Sequence, residues 1–576
     1  MMEFNDAVIG VWDGHDAGAA LVIHGRVVLA LNEERLSGRK LDVGMPIRAI
    51  AAMREAAGDR TVTWSVTTSD FAKTLTRTFP SMKENYYKLR RRLVPPGAFH
   101  GLKLKSKYLL TQLPTNNLLR ARARSWFSSS LNAAVAKIDL VDHHAAHAAA
   151  AAFWPEWNGD ANIVTLDGIG DGESGSVWSW SESTQQLKKL VSIPGSASLG
   201  LFFEHVTNEL QMRPLEDEGK VMALASFAAQ IPNASNPFLK WFSLGKDDRG
   251  LPLLSCSIKP GKMAQKVANI IYCTPREQVC KMAQQTLEFL VPRFFEMVAQ
   301  ATACGNFGYA GGVASNIKVN RLIRTTAGIT KLNVCPAMGD GGLAVGAALF
   351  TWQKLSGKRP EPFDDFRLGS PHPDLGNDAE KIAAQTGAEL LRPADVAILA
   401  AEKVAAGDIV MWAQGRMELG ARALGARSIV ARADSTKARD DLNLRLKRRV
   451  WFQPFCPSIL LSEAPRLLKD YRPGADDNFH MTNGFMTSDA GMQSLAGAIG
   501  PDGSCRPQMV RENPAEPWAR LIMKVKDLTG TGAVINTSLN MHGKPMSDDA
   551  AGVVEAWIES GVQHLALGSA FLSKKS

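Results

Sequence analysis

Residues 142–148 read Asp-His-His-Ala-Ala-His-Ala, and the alanine-rich run continues to Ala152. Alanine has the highest helix propensity, so this stretch predicts a helix. His143 and His147 are four residues apart and would share one face of that helix, whereas His144 would point elsewhere. Two imidazoles in this arrangement can chelate a metal ion. A helix with surface histidines, or with a histidine hydrogen-bonded in the core, is the alternative, because short metal motifs also occur by chance.

Two aspartates in glycine-rich turns favour the metal interpretation. Asp167 directly follows a β-branched apolar strand, and Asp340 precedes a helix of small residues. In α/β proteins such turns meet at the ligand crevice. With His143 and His147 they would form a site of two nitrogens and two oxygens. That donor set suits iron, manganese or zinc better than calcium, which prefers oxygen ligands alone.

The length and the cysteine pattern limit the number of domains and the redox compartment in which the protein is expected. A chain of 576 residues is too long for one core and predicts two to four domains. The seven cysteines are scattered, odd in number and never arranged as Cys-x-x-Cys, which favours a reducing compartment. We find no signal peptide at the N-terminus and no apolar run long enough to span a membrane, and therefore expect a cytoplasmic protein.

The positive charge is concentrated in one segment. The net charge is +9, and residues 80–124 alone contain eleven basic side chains and one acidic side chain. A solvated helical insertion would explain this pattern. An anion-facing surface would explain it equally well, and the sequence does not choose between an acidic substrate, a membrane face and nucleic acid.

The order of the predicted elements indicates an α/β protein. Three short strands with tight turns open the chain, and glycine-rich turns at 167–173 and 311–316 could approach a phosphate. Residues 437–449 predict a polar, basic helix. Proline-rich residues 354–375 are the best domain boundary. We detect no internal sequence repeat.

Taken together, the motifs resemble those of the O-carbamoyltransferases of the nodulation-protein and antibiotic-tailoring family. Each motif alone is weak, but they occur in family order along almost the whole chain. They lie at Gly14–Leu21, Asn32–Arg35, Asp142–Ala148, Asp167–Gly172, Glu218–Met222, Gly311–Asn316, Gly339–Gly346, Gly415–Arg427, Gln453–Ile459 and Asn536–Pro545.

This resemblance implies an architecture and a reaction. It implies an N-terminal actin-like ATPase domain over residues 1–355, a linker at 356–375 and a C-terminal YrdC-like α/β domain at 376–576. In the family, carbamoyl phosphate is cleaved in the YrdC-like domain and the carbamate reacts with ATP to give carbamoyladenylate. The carbamoyl group then passes to an acceptor hydroxyl in the actin-like domain.

The resemblance also assigns residues in the N-terminal domain. The metal ligands would be the four side chains named above, with Fe²⁺ preferred over Mn²⁺ or Zn²⁺, and ATP would bind with Mg²⁺. Nucleotide contacts fall on Lys220, Gly311, Gly312, Asn316 and Asp340, and acceptor contacts on Asp13, His15 and Glu173. Among these, we expect His15 to take the proton from the acceptor hydroxyl, since an imidazole titrates near neutral pH; a hydrogen-bonded turn residue is the alternative.

The second domain needs cations for a small, doubly charged phosphate ester, and arginine forks suit phosphate. The expected contacts with carbamoyl phosphate are Arg416, Arg422, Arg427, Lys447, Arg449, Asn536, Ser538 and Asn540. We expect Arg416, Lys447 and Arg449 to be catalytic as well, although a solvated basic helix would also explain the last two. Cys456 stands where the family usually has alanine, and we interpret it as a small packing residue.

The favoured function is therefore ATP-dependent carbamoylation of a small-molecule hydroxyl acceptor. An anionic or aromatic acceptor is one option for the substrate, and a homodimer is one option for the assembly. The alternatives are a tRNA-modifying relative that grips RNA through residues 80–124 and a non-catalytic nucleotide sensor. Sparse aromatic residues in the basic segment argue against nucleic acid.

Overall fold

The computed structural model describes residues 7–68, 71–91 and 116–575. The chain forms two compact units. The first unit comprises Met1–Glu33 and Asp42–Asp364, and the second comprises Glu34–Leu41 and Asp365–Ser576. The break near residue 364 falls inside the stretch proposed as a linker. The short segment Glu34–Leu41, which belongs to the second unit, was not anticipated from the sequence.

The first unit contains two five-stranded sheets and a hairpin. Its strands are β1 (Ala7–Trp12), β2 (Gly18–Ile23), β3 (Arg26–Asn32), β4 (Val62–Thr67), β5 (Ile138–Val141), β6 (Ala161–Gly170), β7 (Glu173–Ser181), β8 (Gln186–Pro194), β9 (Phe242–Lys246), β10 (Pro252–Cys256), β11 (Asn306–Ala310) and β12 (Lys331–Val334).

The two large sheets share one topology. The first has the order β3-β2-β1-β4-β5 and the second the order β12-β11-β6-β7-β8. In each sheet, three consecutive strands are antiparallel. A fourth strand pairs in parallel with the first of these three, and a fifth pairs in parallel with the fourth. This duplicated arrangement is an actin-like ATPase fold. The duplication leaves no repeat that we could detect in the sequence, because many sequences satisfy the same strand order.

Helices connect and cover these sheets. They are Ile47–Ala57, Phe71–Thr78, Pro80–Arg90, Asn117–Leu131, His143–Phe153, Leu199–Glu209, Glu218–Leu224, Pro260–Tyr272, Arg276–Thr302, Ile317–Arg324 and Leu343–Ser356. Two of them lie in the predicted basic segment 80–124, of which residues 92–115 lie outside the described part of the chain. Among the described residues, no helix has the length and hydropathy needed to cross a bilayer.

Two helices of small residues pack closely at the centre of the unit. Every residue of the helix His143–Phe153 is buried, so the alternative of a helix with surface histidines is wrong. This helix packs on β6 and β11, and the helix Leu343–Ser356 packs on β1, β2 and β4 as well as on the histidine helix. At Gly346, an added Cβ would lie 1.9 Å from the carbonyl oxygen of Ala146. The alanines and glycines therefore allow the two backbones to approach.

Replacing Gly346 with alanine is expected to destabilise the first unit by about 1–3 kcal/mol, the usual cost of overpacking, because the neighbour is backbone and cannot move aside. The control is Gly261→Ala, in the helix Pro260–Tyr272, where nothing lies within 4 Å of the added Cβ. That variant should gain up to about 1 kcal/mol of helix propensity. Urea denaturation followed by circular dichroism measures both, and equal midpoints would contradict the packing argument.

The second unit is built on an eight-stranded mixed sheet of order β13-β22-β21-β14-β15-β20-β16-β19, with a separate β17-β18 pair. Its strands are β13 (Glu389–Leu391), β14 (Val410–Ala413), β15 (Arg427–Arg432), β16 (Cys456–Leu460), β17 (Phe485–Met486), β18 (Ser504–Cys505), β19 (Gln508–Val510), β20 (Ala533–Ser538), β21 (His564–Leu567) and β22 (Ala570–Ser573). Its helices are Glu34–Ser37, Ala379–Thr386, Val396–Ala406, Thr436–Asp440, Ala464–Leu467, Asp489–Ser494, Pro517–Thr529 and Ala550–Ser560.

The predicted helix over 437–449 changes type along its length and ends early, at Leu446. The α-helix ends at Asp440, a π-helical turn follows over Asp441–Leu446, and Arg448 has a left-handed backbone with φ of 46°. The reversal lets the side chain of Lys447 become buried, with 4% exposure. Hydrogen bonds from its ammonium to backbone carbonyls hold it there, and they outweigh helix propensity at this point.

Candidate functional site

The four predicted metal ligands converge. One nitrogen or oxygen from each of His143, His147, Asp167 and Asp340 lies within 4.8 Å of the others. Nε2 of His143 is 3.2 Å from Oδ2 of Asp167 and 3.6 Å from Oδ1 of Asp340, and Nε2 of His147 is 3.5 Å from the same Asp340 oxygen. Donors bound to one ion at about 2.1 Å are separated by similar distances.

The protonation and bonding of the cluster also fit a cation. Nε2 of His147 is buried without a hydrogen-bond partner, which is costly unless something else binds it. Each carboxylate directs one oxygen to the imidazoles and the other to a supporting donor. Oδ1 of Asp167 accepts from the backbone N–H of Gly312 at 2.6 Å, and Oδ2 of Asp340 lies 3.1 Å from Nε2 of His15. Such outer contacts orient metal ligands.

His144, next to the cluster, does not take part. Its ring nitrogens lie 2.9 Å from Oγ1 of Thr165 and 3.1 Å from the carbonyl oxygen of Glu173. Burial, with the neighbouring histidines, holds its pKa well below the ordinary value. It is a neutral core histidine, and its ring nitrogens contact partners outside the four cluster residues, as the helical spacing predicted.

Metal binding to this cluster is expected to release a proton. Burial opposes the charged form of His143, but Asp340 and Asp167 outweigh it and raise its pKa to about 9. At pH 7 the metal-free protein therefore holds an imidazolium that must lose its proton to become a ligand. Affinity should rise by about tenfold per pH unit from pH 7 and level off near pH 9. Titration calorimetry in buffers of different ionisation enthalpy counts the proton, and no release at pH 7 would contradict the assignment.

His15, the predicted base, lies beside this cluster. Asp340 lies 3.1 Å from Nε2, whereas Nδ1 is buried without a hydrogen-bond partner, with Oδ2 of Asp16 farther away at 3.8 Å. A carboxylate on one ring nitrogen keeps the proton there and leaves the other nitrogen as an acceptor. Asn32 supports the turns that carry His15 and Asp340, because its side-chain amide donates to the carbonyls of Asp16 and Gly341 at 3.1 Å each.

Asp13 and Glu173, predicted to face the acceptor, are bonded within the protein. Asp13 is 1% exposed, and Arg77 donates to both of its oxygens at 2.9 and 3.0 Å. Burial opposes its ionisation, but Arg77, Lys83 and Lys73 hold its pKa well below the ordinary range. The Glu173 carboxylate accepts from Lys189. Their acceptor role stays a prediction.

The predicted nucleotide residues have structural partners as well. Gly311 has φ of 97°, and a Cβ there would lie 2.1 Å from the Leu166 carbonyl oxygen, so glycine is required. Asn316 caps the helix Ile317–Arg324 through the N–H of Val319 at 3.2 Å. Lys220 pairs with Asp217 at 2.8 Å. The close approach of Gly311 to Leu166 shapes the backbone next to Asp167, and the nucleotide assignment stays a prediction.

In the second unit, Arg422, Arg449 and Arg506 form a half-buried cation cluster. Nε and Nη2 of Arg506 lie 3.0 and 2.8 Å from Sγ of Cys456. Nε of Arg422 and Nη2 of Arg449 are buried without hydrogen-bond partners. Burial and Arg506 lower the pKa of Arg422 to about 9 and that of Arg449 to about 10, against an opposing effect of Cys456. In the described ranges no carboxylate pairs with these three, so an anion would relieve their repulsion.

The sequence analysis missed Arg506. It lies outside the recognised motifs, in a loop before β19, and only the β16–β19 pairing brings it to Cys456. The same geometry shows that Cys456 is not merely a packing residue, because its sulfur accepts hydrogen bonds from a guanidinium.

Lys447 and the turn after β20 form a second part of this region. The ammonium donates to the carbonyl oxygens of Ser538 and Asn540 and to Oδ1 of Asn540. Burial, followed by the charges of Arg449 and Lys40, holds the pKa of Lys447 well below its ordinary value. Asn536 is buried, and its Oδ1 has no hydrogen-bond partner.

Two predicted phosphate contacts are instead bound to backbone. The guanidinium of Arg427 is fully buried and donates to the carbonyls of Gln414, Gly415, Ala426, Ser547 and Asp548. Arg416 donates to the carbonyls of Gly369 and Leu368 at 2.7 and 3.1 Å. These hydrogen bonds occupy the donors of Arg427, and a guanidinium so occupied offers little to a ligand; the phosphate contacts of Arg427 and Arg416 stay predictions.

Comparisons with known proteins agree with the motifs. The family model described as Carbamoyltransferase N-terminus matches residues 7–235 and 261–349, and Carbamoyltransferase C-terminus matches residues 401–574. Nodulation protein NolNO of Sinorhizobium fredii is 29% identical over 98% of this chain and 79% of its own length. Uncharacterized protein MJ1058 of Methanocaldococcus jannaschii is 31% identical over 76% of this chain and 74% of its own.

Among solved structures, HypF from T. kodakarensis aligns with a TM-score of 0.32 at 15% identity, covering 62% of this chain and 48% of that one. Because the two family models together match most of the chain, in the order in which its motifs occur, this protein belongs to the carbamoyltransferase family and is a carbamoyltransferase.

Proposed function

We propose that the protein is an ATP- and carbamoyl-phosphate-dependent O-carbamoyltransferase acting on a hydroxyl group of a small molecule. The observation that carries this proposal is the cluster of His143, His147, Asp167 and Asp340 with His15 at 3.1 Å from Asp340. The cluster would hold a divalent ion, for which Fe²⁺, Mn²⁺ and Zn²⁺ are the candidates. When bound, such an ion polarises a carbonyl or neutralises phosphate charge.

In the second unit, the cations Arg422, Arg449 and Arg506, with Lys447 nearby, would bind the phosphate of carbamoyl phosphate. Guanidinium forks stabilise the charge that develops on a leaving phosphate. Water attacks carbamoyl phosphate, the bond between the carbamoyl group and the phosphate breaks to give carbamate and phosphate, and the carbamate oxygen attacks the α-phosphorus of ATP. Carbamoyladenylate forms and pyrophosphate leaves. Arg427 and Arg416 would position the loops that carry these groups.

In the first unit, the acceptor hydroxyl attacks the carbamoyl carbon, the bond to the AMP oxygen breaks and AMP leaves. His15 would take the hydroxyl proton on Nδ1, because Asp340 holds the proton on Nε2. Asp340 thus has two roles, one oxygen toward the metal cluster and one toward the base.

The described basic residues near 80–124 do not favour RNA as the acceptor. Lys83 contacts Asp13, Arg91 contacts Glu216, and Arg120 contacts Asp142. Cations paired in this way within the protein leave less charge for a phosphate backbone.

The test is to incubate the purified protein with ATP, Mg²⁺ and carbamoyl phosphate, alone or with a panel of alcohols or with tRNA. We expect carbamoyl-phosphate-dependent pyrophosphate release in all mixtures, and mass spectrometry should detect a carbamoyl group on an alcohol. Product on tRNA alone would favour the RNA alternative, and no pyrophosphate release would refute adenylate formation.

A further inference from the structure

The side-chain amide of Asn536, on β20, is held in one orientation. Its Nδ2 lies 3.1 Å from the carbonyl oxygen of Ala423, 3.0 Å from Oγ of Ser458 and 3.1 Å from Oε1 of Gln508. A carbonyl oxygen can only accept a hydrogen bond, so the nitrogen of the amide must face Ala423. The amide oxygen Oδ1 is therefore directed away from these three partners.

Gln508, on β19, is fixed in the same way at the other end of this network. Its Nε2 donates to the carbonyl oxygen of Leu424 at 2.8 Å, and its Oε1 accepts from the indole N–H of Trp518 at 3.3 Å. Ser458 donates to the same Oε1 at 2.6 Å. Because an indole N–H only donates and a carbonyl only accepts, neither amide can exchange its nitrogen and oxygen without losing hydrogen bonds.

The free end of the network lies beside the cation cluster. Asn536 is 2% exposed, and its Oδ1 is buried without a hydrogen-bond partner. On the neighbouring strand it pairs with Cys456, so the two side chains share one face of the sheet. The sulfur of Cys456 accepts from Arg506, and Arg422 directly precedes the Ala423 carbonyl. An acceptor without a donor is thus placed next to donors that lack acceptors.

Carbamoyl phosphate matches this combination of groups. Its phosphate accepts hydrogen bonds from guanidinium groups, and its NH₂ group donates. Acetyl phosphate has the same phosphate and carbonyl but a methyl group in place of NH₂, so the arginines alone cannot distinguish the two compounds. A buried acceptor can, because the methyl group leaves it unpaired and the NH₂ group does not.

We propose that Asn536 selects the carbamoyl group, with Oδ1 accepting a hydrogen bond from the NH₂ of carbamoyl phosphate. This role rests on the proposed function, which places carbamoyl phosphate beside the three arginines. Ser458 and Gln508 are positioning residues, because they bind Nδ2 and so keep Oδ1 directed at the substrate. The arginines supply affinity for the phosphate, and Asn536 supplies the choice between acyl groups.

Two phosphonates that differ in this one group test the selection without turnover. Phosphonoacetamide carries NH₂ where acetonylphosphonate carries CH₃, and both have a carbon in place of the bridging oxygen, so that neither releases phosphate. Titration calorimetry on the full-length protein measures both dissociation constants. We expect phosphonoacetamide to bind about 10–100-fold more tightly, the effect of leaving a buried acceptor unpaired. Equal dissociation constants in the wild type would overturn the proposal.

Variants assign the preference to Asn536. Asn536→Leu keeps the size of the side chain and removes the acceptor, so the affinity ratio should fall to about one. The matched control is Thr537→Val, at the next residue of β20, whose side chain lies on the opposite face of the sheet. It should keep the wild-type ratio. An unchanged ratio in Asn536→Leu would overturn the role of this residue.

Ser458→Ala tests the positioning role. Without the hydroxyl, the amide of Asn536 is held less firmly, and we expect a smaller ratio with unchanged affinity for inorganic phosphate. Rescue of the ratio by Ser458→Thr, which restores the hydroxyl, would separate positioning from a general loss of structure. The same ratio in Ser458→Ala as in the wild type would count against positioning. These variants and the wild-type ratio decide the question if Asn536→Leu does not fold.

The outcomes separate this selection from the proposed function. Tight binding of both phosphonates with equal affinity refutes the selection alone. Binding of neither phosphonate, together with no binding of inorganic phosphate, refutes the phosphate pocket and the selection with it. Arg449→Met should weaken both phosphonates equally and keep their ratio, because the phosphonate group is common to both. A ratio that falls as far in Arg449→Met as in Asn536→Leu would count against Asn536.

Discussion

Replacing His147 with alanine is expected to abolish tight metal binding and to reduce carbamoyl transfer by about a thousandfold or more, beyond the 10–100-fold typical of outer-shell changes. The substitution removes one of four donors from a fully buried cluster. Alanine is the residue that the helix already uses around this position, so helix propensity does not fall. Metal content by mass spectrometry and single-turnover transfer measure the two effects.

The matched control is His144→Ala, in the same helix and equally buried. His144 contacts Thr165 and the Glu173 carbonyl instead of the cluster. We expect this variant to lose stability, because it leaves a cavity and unpaired polar groups, but to retain one metal per chain. The assignment of His147 as a metal ligand would be contradicted if His147→Ala retained metal at the wild-type level. It would also be contradicted if both variants lost metal equally. Pyrophosphate release, which is proposed for the second unit, should survive in both.

Replacing Arg449 with methionine is expected to lower carbamoyl-phosphate-dependent pyrophosphate release by about 10²–10³-fold, the range for removing a donor to developing negative charge. The guanidinium is held by Asn443 at 2.6 Å and lies 4.1 Å over Phe455, while Nη2 has no partner. These contacts fix the orientation of the Arg449 guanidinium, and its Nη2, which has no hydrogen-bond partner, can donate to a ligand. Lysine at this position should restore only part of the pyrophosphate release, because an ammonium lacks the planar pair of N–H donors of a guanidinium.

The control for this prediction is Arg445→Met, four residues earlier in the same segment. Its side chain is 84% exposed and pairs with Asp441 at 3.2 Å, a surface pair of little energetic weight. We expect its pyrophosphate release to match the wild type. Arg506→Met should resemble Arg449→Met, although no sequence motif identified Arg506. Equal activity of Arg449→Met and Arg445→Met, with unchanged melting temperatures, would refute the phosphate pocket.

Local chemistry in the sequence predicted that His143, His147, Asp167 and Asp340 would converge. The spacing of His143 and His147 in an alanine run required a helix with both imidazoles on one face, and Asp167 and Asp340 stood at strand ends or helix starts, where crevices form. The mixed α/β class followed from the alternation of apolar strands and helices. The family motifs pointed to the carbamoyltransferases, and the family models confirm this.

The sequence did not show which charged side chains have their partners within the protein, because those partners are distant in the chain. Arg427 and Arg449 both read as phosphate ligands, yet the first is bonded to five carbonyls and the second has a guanidinium nitrogen without a partner. Likewise, the sequence predicts that Asp13 contacts the acceptor, and it does not show the two hydrogen bonds that Asp13 accepts from Arg77. The type of a charged residue predicts that it needs polar or oppositely charged partners. Only the tertiary structure decides whether the protein or a ligand supplies those partners.

By itself, then, the sequence determined the helix with its two facing imidazoles, the family and the kind of donor atoms, because helical periodicity and residue chemistry are local properties. Tertiary structure alone decided that two sheets repeat one topology, that Glu34–Leu41 belongs to the second unit, and that Arg506 reaches Cys456. It also placed Lys73 and Lys83 on Asp13. These depend on contacts between residues distant in the chain, which the packing of the whole domain specifies and no short motif encodes.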